Sequence, residues 1–197
     1  GFAAINYTNP SIVWTSCQWS TTGGCIFRRS PDVNLGAPVR RVSGIVAGDR
    51  GLFIPPLLMD PVTPTTLYYG TQRLYRTVND GTAWTALSSD LTKGTGSIST
   101  IAVAKSNPLV IYVGTSDGNV QVSRDGGTTF TLSNTGLPNR NFTRIAVDVT
   151  DPNRAVVTAS GFNSAPPAGH VFLTTNGGVS WTSISGALAD APLRAAV

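Results

Sequence analysis

The sequence predicts an all-β fold, a β-propeller of about four blades with four antiparallel strands in each. Three observations carry that expectation. The chain repeats itself four times, each repeat holds short strand-like runs, and residues that favour helices are scarce. Of 197 residues ten are acidic, all ten are Asp, and Lys occurs only at Lys93 and Lys105. Thr, Ser, Gly, Val and Asn stand where surface helices would need Glu and Lys.

Each repeat opens with an apolar strand ending in Asn-Pro or Asp-Pro: FAAINYTNP, FIPPLLMDP, STIAVAKSNP and TRIAVDVTDP. The prolines fall at Pro10, Pro61, Pro108 and Pro152, intervals of 51, 47 and 44 residues. Proline lacks the amide that a sheet ladder uses, so it marks where the strand stops. A second strand follows (SIVWTSC, TTLYYGT, LVIYVGT, RAVVTAS), then a third (CIFRRS, RLYRT, NVQVS, GHVFLTT). Three repeats add a glycine-bearing turn and a fourth strand with an aromatic: TAWTALS, TTFTLS and VSWTSIS. Residues 1–197 thus read as one segment, with blades over about 1–46, 47–94, 95–138 and 139–188. The closing PLRAAV aligns with FTRIAV, so 189–197 read as the start of a fifth blade.

The turn before the fourth strand follows (Ser/Thr)-x-(Asp/Asn)-x-Gly-x-x-(Trp/Phe). It runs Thr77, Asn79, Gly81, Trp84; then Ser123, Asp125, Gly127, Phe130; then Thr174, Asn176, Gly178, Trp181. An Asp or Asn side chain can cap such a turn by accepting an amide N–H two residues on. Glycine adopts positive φ freely, and the aromatic can fold between blades and bury roughly 150–250 Å². Asp125 has the look of a catalytic acid or a cation ligand. Asn takes its place in the other two copies, and Asn accepts the same hydrogen bond without serving as an acid. These residues read as structural, and no catalytic residue, metal or cofactor is expected here.

This pattern resembles the Asp-box, or bacterial neuraminidase repeat, of sialidases, sortilin-type receptors, xyloglucan-hydrolysing glycosidases and many secreted bacterial propellers. Three repeats carry it closely. In the first, Ser30, Asp32 and Asn34 fit loosely and no aromatic follows. RLYRTVNDGTAW, SRDGGTTFTLSNTGLPN and GHVFLTTNGGVSWTSISGAL are similar to the repeats of large secreted or surface bacterial proteins of glycosyl-hydrolase-like type. The resemblance implies an extracellular protein and a ring larger than four blades. The remainder of the same propeller is the expected partner, with a second copy paired through open sheet edges, or four blades closing into a small ring of their own, as the alternatives.

Charge and cysteines narrow the function. The net charge of +4 rests on scattered arginines, with doublets only at Arg28-Arg29 and Arg40-Arg41 inside apolar strands. A nucleic-acid partner would call for a clustered basic stripe, so none is expected. No apolar run approaches the ~20 residues of a membrane span. Cys17 and Cys25 flank a Gly-Gly hairpin. A disulfide there would stabilise by about 2.5 kcal/mol and place the chain outside the cytoplasm; two free buried thiols are the alternative.

In a propeller, the loops joining strands two and three, and those joining blades, share the face opposite the glycine turns. Function is expected on that loop face. Two strand-two-to-three loops are expanded, CQWSTTGGC with Trp19 and ASGFNSAPPAGH with Phe162, Asn163 and His170. Inter-blade loops add Asp49, Arg50, Lys93, Arg140 and Asn141. Trp19 either stacks on a sugar or packs on its own loop. His170 is the only histidine and reads as structural, because no nucleophile motif accompanies it. Arg73 and Arg76 read as snorkelling along their blade.

Three functions follow. One is a binding or scaffolding segment whose loop face contacts a glycan or a protein. Another is part of a glycoside hydrolase, which needs two carboxylates ~5–5.5 or ~6.5–9.5 Å apart. The last is edge-to-edge assembly in a surface layer. Glu is absent, Asp32, Asp80 and Asp125 lie in or beside the glycine turns, and Asp60, Asp148 and Asp151 lie at first-strand ends. That leaves Asp49, Asp90, Asp117 and Asp190 for the loop face, and the Arg-(Ile/Leu)-Pro motif of sialidases does not occur. Binding without catalysis is therefore the expectation, and hydrolysis would need carboxylates from outside the segment.

Overall fold

A computed structural model describes residues 2–18, 24–29, 38–162 and 168–193. Trp19, Asn163 and the loose first-repeat residues Ser30, Asp32 and Asn34 lie outside them, as do residues 194–197. The described chain folds into four sheets, each a four-stranded antiparallel meander in sequence order. The first holds β1 (Ala3–Ile5), β2 (Val13–Ser16), β3 (Ile26–Arg29) and β4 (Val39–Arg40). The second holds β5 (Leu57–Met59), β6 (Leu67–Gly70), β7 (Leu74–Thr77) and β8 (Thr85–Ala86). The third holds β9 (Ile98–Val103), β10 (Ile111–Thr115), β11 (Val120–Ser123) and β12 (Thr131–Leu132). The fourth holds β13 (Phe142–Val147), β14 (Ala155–Ala159), β15 (Val171–Thr174) and β16 (Thr182–Ser183). Among the described residues there is no helix.

The first strands of successive sheets pack on one another, β1 on β5, β5 on β9 and β9 on β13. Each meander then runs outward from that inner line. The fold is all-β, and its sheets are propeller blades.

Side chains of adjacent residues leave a strand on opposite faces, so an inner blade is buried on both. Tyr69 and Tyr75, paired across β6 and β7, join Trp14, Ile26 and Trp84 between the first two sheets. Tyr68, next along β6, instead joins Ile98, Ile101 and Ile111 between the second and third. Tyr112 packs between the third and fourth, its ring 6.4 Å from Trp181 and edge-on to it. Every residue of β9 and β10 is buried. That is why these strands read as continuous apolar runs and not as alternating ones.

Arginines on the third strands bind the blades together. The Arg28 guanidinium lies 2.7 Å from the Asp80 carboxylate. Arg76 Nη1 donates to the Gly126 carbonyl at 3.1 Å, and Arg124 Nη2 to the Gly177 carbonyl at 2.5 Å. Each thus reaches the glycine turn of the following blade. This corrects the expectation that Arg76 lies passively along its own blade. The fourth blade offers Leu173 and Thr175 at the matching positions, and no arginine.

Cys17 and Cys25 form the expected disulfide, with their Cα atoms 5.2 Å apart at the neck of the β2–β3 hairpin. The Cys25 amide donates to Tyr69 Oη at 3.3 Å, which anchors this neck on the second blade.

Candidate functional site

The two faces of the blades use their polar residues differently. On the glycine-turn face, three turns share one hydrogen-bond scheme. The hydroxyls of Thr77, Ser123 and Thr174 donate to the side-chain oxygens of Asn79, Asp125 and Asn176 at 2.9, 2.8 and 2.9 Å. The same hydroxyls accept the amides of Gly81, Gly127 and Gly178 at 3.1, 2.8 and 2.9 Å. Those Asn and Asp oxygens also accept the amides of Ala83, Thr129 and Ser180. The cap therefore spans four residues, where the sequence suggested two. Gly127 has φ +93, and a Cβ there would lie 2.6 Å from the Leu87 side chain of the preceding blade.

Asp125 is exposed but fully engaged. The Thr129 hydroxyl and amide, with the Ser123 hydroxyl, hold its carboxyl down to about 2. Asn176 reproduces the contact in reverse, its Nδ2 donating to Ser180 Oγ at 2.9 Å. Trp84 and Trp181 cross to the preceding blade, where their Nε1 atoms donate to the Arg41 and Ser133 carbonyls, each at 3.0 Å. Phe130 has no donor to offer and is only half-buried. The Asn79, Asp125 and Asn176 oxygens are thus taken up by their own turns.

The loop face holds Asp49, Asp90, Asp117 and Asp190, each engaged in its own network. Asp49 is 5% exposed. It accepts from Tyr75 Oη at 2.5 Å, Gln72 Nε2 at 2.8 Å and Thr71 Oγ1 at 3.1 Å, with Arg73 Nε 3.4 Å away. Burial, then the hydrogen bond to Asp49, pushes the Tyr75 hydroxyl up to about 12. A ligand in solvent does not reach Asp49, which corrects its expected place on the binding surface.

Arg50 donates to Asp90 Oδ2 at 2.6 Å and to the Gly94 carbonyl at 2.8 Å, stapling two inter-blade loops. Burial would raise the Asp90 carboxyl, but the Thr92 hydroxyl and amide and Arg50 outweigh it and lower it. Asp117 accepts the amides of Lys93, Gly94 and Gly96 and the Thr115 hydroxyl. Asp190 pairs with His170, which is 1% exposed and so does not face solvent either. Arg140 bonds the Gly161 and Gly169 carbonyls. Each of the four carboxylates is thus engaged by groups of the chain itself. Among the described residues no group of three or more His, Cys, Asp or Glu could hold a metal ion.

A cavity of about 350 Å³ opens on this face, lined by Leu52, Ser99, Asn141, Thr143 and Ser160. These residues come from the loop-face ends of three successive blades. Ser99 Oγ donates to the Phe142 carbonyl at 2.5 Å and Thr143 Oγ1 to the Leu193 carbonyl at 2.8 Å. Apart from the apolar Leu52, the described lining is hydroxyl and amide, with no formal charge. Exposed aromatics occur nearby in sequence, Phe53 beside Leu52 and Phe162 two residues beyond Ser160. Of the expected loop-face residues that are described, only Asn141 lines the cavity; Ser99 and Thr143 were missed because a hydroxyl inside an apolar strand reads as sheet.

No protein-family model matches the chain, and no curated protein matches its sequence. Solved structures do resemble it. An ancestral GH74 enzyme superposes with a TM-score of 0.67 at 17% identity, over 94% of this chain and 24% of the other. A GH74 xyloglucanase from Xanthomonas campestris gives 0.68 at 13% identity, over 93% and 30%. The outer coat vertex of COPII on membranes gives 0.62 at 11%, over 87% and 45%. Likeness at such identities establishes the propeller fold alone. The chain spans under a third of the length of these GH74 structures.

Proposed function

We propose that this chain is an Asp-box propeller segment of an extracellular bacterial protein that binds a neutral glycan through its loop-face cavity. The observation that carries this reading is the uncharged, hydroxyl-and-amide lining of the 350 Å³ cavity beside acids and arginines already committed to their own loops. Sugar hydroxyls suit such donors and acceptors, and exposed Phe rings suit the apolar faces of sugars. The disulfide supports an oxidising compartment. No helix among the described residues is long and apolar enough to cross a membrane.

The test is a glycan array with neutral and acidic oligosaccharides, repeated with N141A and T143V. Binding of neutral glycans that both variants lose supports the reading. Retention only of an acidic glycan or of a protein ligand contradicts it.

A second reading, part of a propeller glycoside hydrolase, is favoured by the GH74 likeness. With the loop-face acids engaged in their own networks, that reading takes at least one catalytic carboxylate from outside these residues. Prolonged incubation with bound oligosaccharides separates the two, since binding alone releases no reducing ends.

The partner across the fourth blade is a further blade. Gly44 and Gly136 sit beneath the backbones of Trp84 and Trp181, where an added Cβ would lie 2.1 Å from the Trp carbonyl oxygen. Gly186 holds the same loop position at φ +53, where an added Cβ would have no described residue within 4 Å. It offers a seat for another blade's aromatic. The first blade of a second copy has no aromatic at that place, so the seat fits the remainder of a larger propeller better. Residues from 189 onward would begin that fifth blade.

A further inference from the structure

His170 stands immediately before β15 and faces two oxygens. Its Nδ1 lies 3.2 Å from the Ala159 carbonyl oxygen and its Nε2 lies 2.9 Å from Asp190 Oδ1. A neutral imidazole carries one N–H and one lone pair. Either neutral tautomer would therefore point a lone pair at an oxygen, and only the imidazolium donates to both. Asp190 is half-exposed, whereas the ring is sealed from water.

Asp190 belongs to the segment that follows β16. Three residues on, the Leu193 carbonyl accepts from Thr143 Oγ1, and Thr143 lines the loop-face cavity. On the other side of the ring, Ala159 precedes Ser160, a second lining residue. The ring thus joins a cavity wall to the segment running along its edge. The charged groups brought to this place by the described residues are Asp190 and Arg140. The Arg140 guanidinium bonds the Gly161 and Gly169 carbonyls and lies in the field of Asp190.

We infer that His170 is a positioning residue: as an imidazolium it donates to both oxygens, clasps Asp190 and helps hold residues 188–193 along the edge of the cavity. Its consequence for ligand binding rests on the loop-face reading, but the clasp itself rests on the geometry around the ring.

The chain has a single histidine, so its ring nitrogen NMR signals need no assignment. In the folded wild-type chain both ring nitrogens should carry protons, the signature of a ring that donates to both oxygens. Amide exchange of 188–193 should be about tenfold slower in the wild type than in D190N, the scale of one charge-assisted hydrogen bond. H170Q should exchange as D190N does; if it fails to fold, D190N decides, because its site is half-exposed. A ring that carries a single proton, or exchange in D190N as slow as in the wild type, overturns the clasp. Glycan binding is measured separately on the same proteins. Absence of binding by the wild type counts against the loop-face reading alone, and unchanged exchange in D190N counts against the clasp alone.

Discussion

The glycine-turn face and the loop face are built from the same repeat, yet they solve their polar problems in opposite ways. On the turn face one solution recurs three times: a hydroxyl, an Asp or Asn oxygen and two amides close each turn. On the loop face no two junctions agree. Asp49 is buried under Tyr75 and Gln72, Asp117 gathers three amides, and Arg140 takes two carbonyls. Repetition marks what every blade needs in order to pack. Variation marks where the blades differ, and the cavity opens there. The contrast is sharpest in the acids: Asn stands in for Asp125 in the other turns because the cap needs only its Oδ1 as acceptor, whereas Asp49 balances a nearby guanidinium.

Mutations can break this contrast, and the largest effect is expected where turn and blade packing meet. Trp181 is 4% exposed and donates into the preceding blade. Trp181→Ala should cost about 3–5 kcal/mol in a denaturant titration, the usual range for deleting a buried aromatic. Asp49→Ala should come next, about 2–3 kcal/mol, because it strands the buried Gln72 amide and Tyr75 hydroxyl. An unchanged midpoint for Asp49→Ala would mean that this acid is not structural. Arg124→Ala removes bonds to Gly177 and Asn153 at an exposed site and should cost about 1 kcal/mol.

The smallest effect belongs to Asp125→Asn. At neutral pH its melting temperature should match the wild type, since Asn176 already bonds Ser180 in the same way. The two diverge in acid. The Asp125 carboxyl is held at about 2, below the usual carboxylate value of ~3.9. Its contribution is therefore complete above about pH 4 and disappears as pH falls through about 2. The Asn variant should lack that part of the acid limb in a series of melts.

The repeat made the fold readable. Prolines at the ends of first strands, apolar runs and glycine turns are local signals, and each recurs. The glycine turns were readable as turns for the same reason, although their caps reach four residues and not two. What could not be read joins residues from different blades. Nothing around Arg76 announces Gly126, a residue 50 positions away on another sheet. The cavity was hidden for the same reason, since Leu52, Ser99 and Thr143 lie on three separate blades and meet only where their strands converge. Asp49 looked like a surface acid because its partners, Gln72 and Tyr75, follow more than 20 residues later.

Binding measured side by side for Asp125→Asn and for the Asn141→Ala, Thr143→Val double variant bears most directly on the division of labour between the faces. The turn variant should bind neutral oligosaccharides as the wild type does, while the cavity variant loses them with its melting temperature intact. Loss of binding on changing Asp125, with the cavity variant unaffected, would place function on the face that is assigned here to structure.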